Sequence, residues 1–289
     1  MKEEDFSLTG MFSAVLERED ARDELVGDML LDRGNARFCT FDEMRDALVA
    51  RQFRIVYQPK VWAHNRALAG AEALVRWDHP ALGEIGPDLF IASAESTGMI
   101  HELGAWVLRE VTKFAAVLQQ KYGFDGKLAV NVSPVQFSNA HYITALVEAT
   151  EALGLPVHLL EFEVTETCVF ENLEKTLKLM NMLRSRGIHI AIDDFGRGYS
   201  SIQHLASLPI SVVKLDRGFI GQLETSETNR KIVRGMLRLC RELGIETVAE
   251  GVEREQQAEM LTDWGCDMLQ GWLFGRPLAR EDFVRRMAR

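Results

Sequence analysis

The segment 160–193 reads LEFEVTETCVFENLEKTLKLMNMLRSRGIHIAID, and its pattern decides the fold. Two short apolar runs, 160–165 and 188–193, flank a longer amphipathic stretch at 171–186. The apolar positions of that stretch recur at three and four residues, which predicts a helix. Gly187 follows it, where a left-handed C-cap is expected. We therefore interpret the segment as a strand, a helix and a second strand.

The same alternation continues along most of the chain. The apolar runs that we interpret as strands are Phe53–Gln58, Gly70–Arg76, Leu128–Val132, Leu160–Thr165, Ile188–Asp193, Val212–Asp216, Thr247–Gly251 and Met268–Phe274. The predicted helices are 87–97, 102–121, 139–153, 171–186, 200–207, 227–243 and 254–264. Strands that alternate with helices in this way predict an α/β fold, namely a (β/α)8-type barrel that closes as a parallel sheet. A doubly wound open sheet is the alternative, and the lack of a GxGxxG motif after the first strand disfavours it.

The composition of the chain changes near residue 38. Residues 1–37 are charge-rich with short helical patterns, so we expect a helical N-terminal extension of unassigned role ahead of a barrel domain at 38–289.

The charge of the whole chain narrows the classes of ligand that it could bind. Asp and Glu number 43 against 33 Lys and Arg, a formal net charge of -10. This balance argues against binding of a nucleic-acid polymer, which requires a basic face. It still permits one small anionic ligand.

Cellular context is indicated by what the sequence lacks. No run approaches the roughly 18 apolar residues of a membrane span, and the N-terminus lacks the apolar stretch of a signal peptide. The four cysteines form no CxxC pair, so neither a zinc site nor a redox motif is predicted. We expect a cytoplasmic protein.

Polar side chains stand in or just after nearly every predicted strand. In chain order they are Glu72, Arg76, Asn131, Ser133, Glu163, Glu166, Asp193, Asp194, Lys214, Asp216, Glu250, Glu253 and Gln270. A barrel of this kind places its chemistry at the carboxyl ends of the strands. Each acid alone has an ordinary reading as a salt-bridged or capping residue, but converging carboxylates repel one another and are costly to bury unpaired. Oxygen ligands suit Mg²⁺ or Mn²⁺, with Ca²⁺ as a competitor, and the adjacent Asp193 and Asp194 could serve two ions.

Lys214 has several readings. It could form a Schiff base, act as a base or pair structurally with the carboxylates. Neighbouring acids keep the pKa of a lysine high, which disfavours Schiff-base chemistry. We expect it to position the attacking water or to neutralise phosphate.

The predicted strands and the turns after them carry a series of short motifs. In chain order they are Tyr57-Gln58-Pro59, Glu72-Ala73-Leu74, Asn131-Val132-Ser133, Glu163-Val164-Thr165-Glu166, Asp193-Asp194-Phe195-Gly196-Arg197-Gly198-Tyr199-Ser200-Ser201, Lys214-Leu215-Asp216-Arg217, Ala249-Glu250-Gly251-Val252-Glu253 and Gln270-Gly271. In order and spacing this series resembles the EAL-domain cyclic di-GMP phosphodiesterase family over residues 38–289. The resemblance implies a modified TIM (β/α)8 barrel and a hydrolase that converts cyclic di-GMP, a bacterial second messenger, to linear pGpG with two Mg²⁺ or Mn²⁺ ions. It also implies a homodimer, and a sensory or regulatory partner is a further expectation.

The resemblance also implies roles for individual residues. The implied metal ligands are Glu72, Asn131, Glu163, Asp193, Asp194 and Glu250, with Glu250 and Lys214 in catalysis. The implied substrate contacts are Gln58, Leu74, Arg76, Asp216, Glu253, Gln270 and Gly271. The stretch Asp194–Ser201 resembles the family's loop after the fifth strand, which helps to order the metal site and the dimer interface. The residues implied to control this loop and the dimer are Glu166, Phe195, Gly196 and Gly198. Three positions depart from the family pattern, Arg197, Arg254 and Trp272, and Arg197 bears on activity because it lies in that loop.

Three other functions compete with the phosphodiesterase. A catalytically silent cyclic di-GMP receptor is the first, and metal-dependent turnover separates the two. A protein kinase could use Asp194-Phe195-Gly196, but no His-Arg-Asp loop precedes it. An enolase-type barrel would also use carboxylate-bound magnesium and a lysine, but the adjacent aspartates and Asn131 fit it less well.

Overall fold

The computed structural model describes residues 40–171, 173–196 and 205–287. Its helices are α1 Phe41–Val49, α2 Pro87–Thr97, α3 Ile100–Tyr122, α4 Pro134–Ser138, α5 Ala140–Ala152, α6 Glu166–Glu171, α7 Leu173–Ser185, α8 Arg217–Ile220, α9 Glu227–Glu242, α10 Glu255–Asp263 and α11 Arg280–Met287. Its strands are β1 Phe53–Trp62, β2 Leu68–His79, β3 Gly83–Ile85, β4 Lys127–Asn131, β5 Leu160–Thr165, β6 His189–Phe195, β7 Val212–Leu215, β8 Glu246–Ala249 and β9 Met268–Gln270. The predicted N-terminal extension, 1–37, lies outside the described residues.

Eight of the strands close into a barrel. Their order is β1, β9, β8, β7, β6, β5, β4 and β2, and β1 pairs with β2 to complete the ring. The pairs from β2 through β4 to β9 are all parallel. The short β3 pairs antiparallel with the carboxyl end of β2, at residues 77–79. The modified (β/α)8 barrel expected from the sequence is confirmed.

The expectation that the barrel is parallel throughout is wrong at β1. This strand runs antiparallel to both of its neighbours, β2 and β9. Only residues 63–67 join β1 to β2, and a parallel crossover needs a dozen residues or more, so the two strands form a hairpin. At the other end of the chain, β9 stops at Gln270 rather than Phe274, because the chain turns and the amides of Phe274 and Gly275 both bond the Gly271 carbonyl.

The helices follow their predicted positions closely, as α9 illustrates. It spans Glu227–Glu242, against a prediction of 227–243, and the Ser226 side chain accepts a hydrogen bond from the Asn229 amide at its start. Val233, Leu237 and Cys240 form its buried stripe. The predicted helix 171–186 corresponds to α7, while the short α6 before it was not predicted, and most of the predicted helix 200–207 falls outside the described residues.

Alternation along β5 explains how an apolar strand carries acids. Leu160, Phe162 and Val164 belong to the main hydrophobic core. Successive strand residues point to opposite faces, so Glu161 and Glu163 point into the barrel, where both are buried. The interior of this barrel is therefore charged at several levels. Among the described residues, no helix has the length and apolar character needed to cross a bilayer.

Candidate active site

Lys214 lies at the centre of the polar groups inside the barrel. Its side chain is 1% exposed, and four carboxylates from four different strands or strand ends surround its ammonium. The Nζ atom lies 2.7 Å from Glu163 Oε2, 2.7 Å from Glu250 Oε1, 3.2 Å from Asp193 Oδ1 and 3.8 Å from Glu72 Oε2. The acids of these strands thus meet at one point, as the sequence predicted: Glu72 lies within β2, Glu163 and Asp193 lie near the carboxyl ends of β5 and β6, and Glu250 directly follows β8.

Amide side chains hold Glu72 in place. Asn131 Nδ2 donates to Glu72 Oε1 at 2.7 Å, and Gln270 Nε2 donates to Glu72 Oε2 at 2.6 Å. Gln270 Nε2 also lies 3.3 Å from Gln58 Oε1. We call the four carboxylates around Lys214, those of Glu72, Glu163, Asp193 and Glu250, the acid cluster. The structure therefore joins Gln58 and Gln270, two predicted substrate contacts, to this cluster. Gln270 Oε1 is buried and has no hydrogen-bond partner among the described residues, so it could accept a hydrogen bond from a ligand.

The two lysines of the barrel interior control the ionisation of Glu163. Burial alone raises the pKa of this carboxyl, but Lys214 and Lys60 outweigh burial and lower the pKa to about 2. Burial likewise opposes the charge of Lys214, yet Glu163, Glu250, Glu72 and Asp193 together raise its pKa well above the usual value. The pair is therefore ionised across the physiological range.

Glu72 and Glu250 are shifted in the opposite direction. Burial is the largest cause for both, and it raises the pKa of Glu72 with a further contribution from Glu163. Burial, Asp193 and Glu72 together raise the pKa of Glu250 to about 7, although Lys214 opposes them. A carboxyl with this pKa exchanges a proton near neutral pH, which suits a general base.

A bulge in β6 lies at the two adjacent aspartates, Asp193 and Asp194. In the β6–β7 ladder, Ile192 pairs with Val213 and Phe195 with Leu215, so Asp193 and Asp194 stand opposite the single residue Lys214. Asp194 has a φ of 54°, a left-handed conformation that aspartate tolerates better than most residues. Bulges of this kind redirect side chains and are common beside active sites.

The loop after β6 begins with a constrained turn. Gly196 has a φ of 95°, and a Cβ there would lie 3.0 Å from Met236 Cε, so the position requires glycine. Its amide donates to Glu166 Oε2 at 3.2 Å, and Phe195 is buried. This contact joins Glu166 to the first residue of the turn, and its role in loop and dimer control stays a prediction. Gly198 and Arg197 lie outside the described residues.

Two further predicted substrate contacts, Leu74 and Arg76, lie on β2. Leu74 and Arg76 share a face of β2 with Glu72 by alternation. Arg76 Nη1 donates to the Val75 carbonyl at 2.8 Å, and its Nε lies 3.9 Å from Glu84 Oε1. In this structure the guanidinium is thus directed toward its own strand and β3.

Asp216, Glu253 and Gly271 follow three neighbouring strands. Asp216 caps α8 by accepting a hydrogen bond from the Gly218 amide at 2.9 Å. This residue therefore has a structural role in addition to the predicted substrate contact. Glu253 is exposed. Gly271 approaches the Val252 backbone so closely that a Cβ would lie 2.1 Å from the Val252 carbonyl oxygen.

Two of the departures from the family pattern are visible. Arg254 forms an ion pair with Glu224 and precedes α10. The Trp272 ring is exposed, and the guanidinium of Arg276 stacks on it at 4.1 Å. Neither residue disturbs the acid cluster.

Lys60 and Glu161 are buried charged residues beneath Glu163 that the sequence analysis did not single out. Each is 3% exposed, and Lys60 Nζ lies 2.7 Å from both Glu161 Oε1 and Glu163 Oε1. The signal was strand alternation, because Lys60 stands two residues after Gln58 and Glu161 two residues before Glu163. Such residues share the inward face, one level deeper in the barrel.

The donor set fits hard divalent cations. Lys60 and Lys214 face five carboxyl groups, those of Glu72, Glu161, Glu163, Asp193 and Glu250. The interior therefore has an excess of negative charge, and all these donors are oxygens, as Mg²⁺ and Mn²⁺ prefer. Across the described ranges, no three His, Cys, Asp or Glu side chains are spaced as a preformed metal-binding group; the Lys214 ammonium lies between the acids instead.

Comparison with known proteins agrees with this geometry. The bifunctional diguanylate cyclase/cyclic di-GMP phosphodiesterase MucR of Pseudomonas aeruginosa is 39% identical over 273 residues, covering 89% of this chain and 40% of that protein. The cyclic di-GMP phosphodiesterase NbdA of the same species is 38% identical, covering 89% of this chain and 33% of that protein. The chain thus spans well under half the length of these relatives.

Solved structures give the same result, and a family match completes it. The PaMucR phosphodiesterase in complex with c-di-GMP superposes with a TM-score of 0.79 at 41% identity, covering 84% of this chain and 98% of that chain. The EAL enzyme Bd1971 bound to cAMP and cyclic di-GMP gives 0.80 at 29% identity, covering 86% of this chain and 68% of that one. Residues 42–277 match the EAL domain family. This chain belongs to the EAL domain family.

Proposed function

We propose that this chain is a metal-dependent hydrolase that cleaves cyclic di-GMP to linear pGpG. The observation that carries the proposal is the convergence of Glu72, Glu163, Asp193 and Glu250 on Lys214 at the carboxyl ends of the barrel strands. The relatives named as cyclic di-GMP phosphodiesterases support the substrate. The hydrolase is favoured over the silent receptor because every metal-site residue of the family pattern is present in this chain.

Glu72, Asn131, Glu163, Asp193, Asp194 and Glu250 are the residues that would hold two Mg²⁺ or Mn²⁺ ions. Such ions, when bound, act as Lewis acids on the oxygens of the reacting phosphodiester. The chain itself keeps Glu163 ionised through its two lysines and holds Glu72 between two amide donors. Two of these residues, Glu72 and Glu163, are thus oriented before any cation arrives.

Proton transfer is proposed for Glu250. Its carboxylate would take a proton from the attacking water; the raised pKa of about 7 belongs to the cation-free protein, and a bound cation would lower it. As the water oxygen bonds to phosphorus, the P–O3′ bond breaks and the 3′-oxygen takes a proton from solvent, which leaves the phosphate at the 5′ end of pGpG. Lys214, 2.7 Å from Glu250 Oε1, steadies that carboxylate and offers a positive charge to the phosphate.

Substrate contacts are proposed for the amides beside the cluster. Gln270 Oε1, which has no partner in the part of the chain that the structure describes, would accept a hydrogen bond from an N–H or O–H group of the dinucleotide, and Gln58 lies beside it. Arg76 would turn from the Val75 carbonyl to bind a phosphate oxygen, a geometry for which guanidinium is well suited.

The setting and assembly are proposals of the same kind. A bacterial second messenger as substrate implies action in the cytoplasm, and a sensory or regulatory partner would control it. We propose a homodimer through the loop after β6, where Gly196 contacts Glu166. Sedimentation of the purified protein tests the dimer, and a monomer at all concentrations would contradict it.

Incubation of the purified protein with cyclic di-GMP and MgCl₂ or MnCl₂ tests the activity. Chromatography should show pGpG, and its formation should stop when a chelator is added. Intact cyclic di-GMP that is bound, as shown by calorimetry, would instead establish the receptor.

A further inference from the structure

Beneath the acid cluster lies a second layer of buried charge. Lys60 on β1 and Glu161 on β5 are each 3% exposed. Lys60 Nζ lies 2.7 Å from Glu161 Oε1 and 2.7 Å from Glu163 Oε1. A buried lysine is stable as an ion only when it is paired, and here Glu161 and then Glu163 raise its pKa against the effect of burial. Lys60 therefore donates one of its hydrogen bonds to Glu163, a proposed metal ligand.

The two oxygens of Glu163 are divided between two lysines. Oε1 accepts from Lys60 on one side, and Oε2 accepts from Lys214 on the other, each at 2.7 Å. The terminal torsion of a glutamate is broad and roughly two-fold, so a carboxylate held at one oxygen only can rotate. The bond from Lys60 stops that rotation and keeps Oε2 turned toward the cluster.

We propose that Lys60 is a positioning residue that fixes the orientation of Glu163 for cation binding. The inference rests on the proposed metal-dependent function and extends it to a residue on the antiparallel strand β1. Lys60 itself contacts neither substrate nor reacting atoms. Its effect reaches them through Glu163, as the hydrogen-bond partners of metal ligands commonly act.

A purely structural role for Lys60 makes a different prediction. In that case Lys60 only neutralises Glu161, and replacing both together with uncharged residues would leave Glu163 unaffected. Under the positioning role, the same double replacement removes the donor to Glu163 Oε1 and weakens cation binding. The double variant Lys60→Met/Glu161→Gln separates these outcomes, because it leaves no unpaired charge at Lys60 or Glu161.

The experiment is a titration with Mn²⁺ in the absence of substrate, followed by electron paramagnetic resonance. We expect Mn²⁺ affinity in the double variant to fall by about tenfold, the lower end of the effect of such partners. Glu161→Gln alone should keep the parent affinity, because Lys60 still donates to Glu163. Lys127→Met is the matched lysine control: Lys127 Nζ donates to the His158 carbonyl at 2.8 Å, away from Glu163.

The outcomes separate this inference from the proposed function. Unchanged Mn²⁺ affinity in a folded double variant would overturn the role of Lys60, whether or not the parent hydrolyses cyclic di-GMP. A parent that binds Mn²⁺ but does not turn over would contradict the hydrolase while the affinity comparison still decides the role of Lys60. A parent that binds no Mn²⁺ would overturn both. If the double variant does not fold, Lys60→Met/Glu161→Met, in which both buried groups are apolar, replaces it with the same expected loss.

Discussion

Lys214 Nζ and Glu250 Oε1 lie 2.7 Å apart at the carboxyl ends of β7 and β8. The contact joins a lysine that is almost fully buried to a carboxyl whose pKa is raised to about 7, first by burial. The Lys214 ammonium holds the Glu250 carboxyl in place and favours its charged form, while burial and the neighbouring Asp193 oppose its ionisation. The balance leaves Glu250 ready to accept a proton near neutral pH.

Replacement of Glu72 tests the predicted ligand set. Glu72→Ala should abolish hydrolysis of cyclic di-GMP, because it removes a carboxylate from the cluster. It also leaves the amides of Asn131 and Gln270 without their acceptor, which should lower the free energy of unfolding by about 1–3 kcal/mol. Far-ultraviolet circular dichroism should stay nearly unchanged.

The control for this variant is Glu246→Ala, at the opposite end of β8 from the cluster. It should keep the parent rate. Retained turnover in Glu72→Ala would remove Glu72 from the ligand set.

Loss of Lys214 should make the fold depend on divalent cations. Lys214→Met leaves Glu163 and its neighbours without their central cation, and breaking a buried pair costs about 3–5 kcal/mol. Mn²⁺ should restore more thermal stability to this variant than to the parent, because a ligand that binds only the native state stabilises it. Thermal unfolding with Mn²⁺ and with chelator measures both effects.

Lys127→Met serves again as the matched control, since Lys127 lies at the start of β4. A Lys214→Met protein as stable as the parent in chelator would contradict the central position of this ammonium.

Glu250 should give the metal-free protein a specific pH dependence. Its pKa rises from 4.5 unfolded to about 7 folded, so its contribution to stability is complete below pH 4.5 and is lost as the pH rises through 7. The loss should be on the order of 2 kcal/mol. Glu250→Gln cannot ionise and should lack this part of the slope when unfolding by urea is followed in chelator from pH 5 to 8. Equal slopes in the two proteins would show that Glu250 does not titrate in this range.

Calcium should inhibit the reaction. Ca²⁺ takes longer and more flexible oxygen bonds than Mg²⁺, and the site is tightly held by Asn131, Gln270 and the two buried lysines. Rates measured in MgCl₂ with increasing CaCl₂ should fall. Full activity in calcium alone would contradict this expectation.

Much of the cluster could be predicted because strand ends are visible in the sequence. Glu163 and Asp193 stand at the ends of apolar runs, and the structure brings both to Lys214. Their roles as ligands stay predictions. Lys60 and Glu161 were missed because they lie one level below the strand ends, where strand alternation, not position at an end, is the signal.

Direction and local geometry were harder to predict. An apolar run does not indicate which way its strand runs, and only the short 63–67 connection fixes β1 as antiparallel. The bulge at Asp193 and Asp194 depends on pairing with β7, which no local pattern specifies. Arg76 is directed to the Val75 carbonyl because its orientation is set by tertiary contacts.

Hydrolysis of cyclic di-GMP in ¹⁸O-labelled water with MnCl₂, analysed by mass spectrometry, tests the proposed phosphodiesterase most directly. We expect pGpG with one heavy oxygen in its 5′-phosphate, and no product in chelator. Cyclic di-GMP recovered intact and unlabelled in the presence of Mn²⁺ would show that the chain is not a phosphodiesterase.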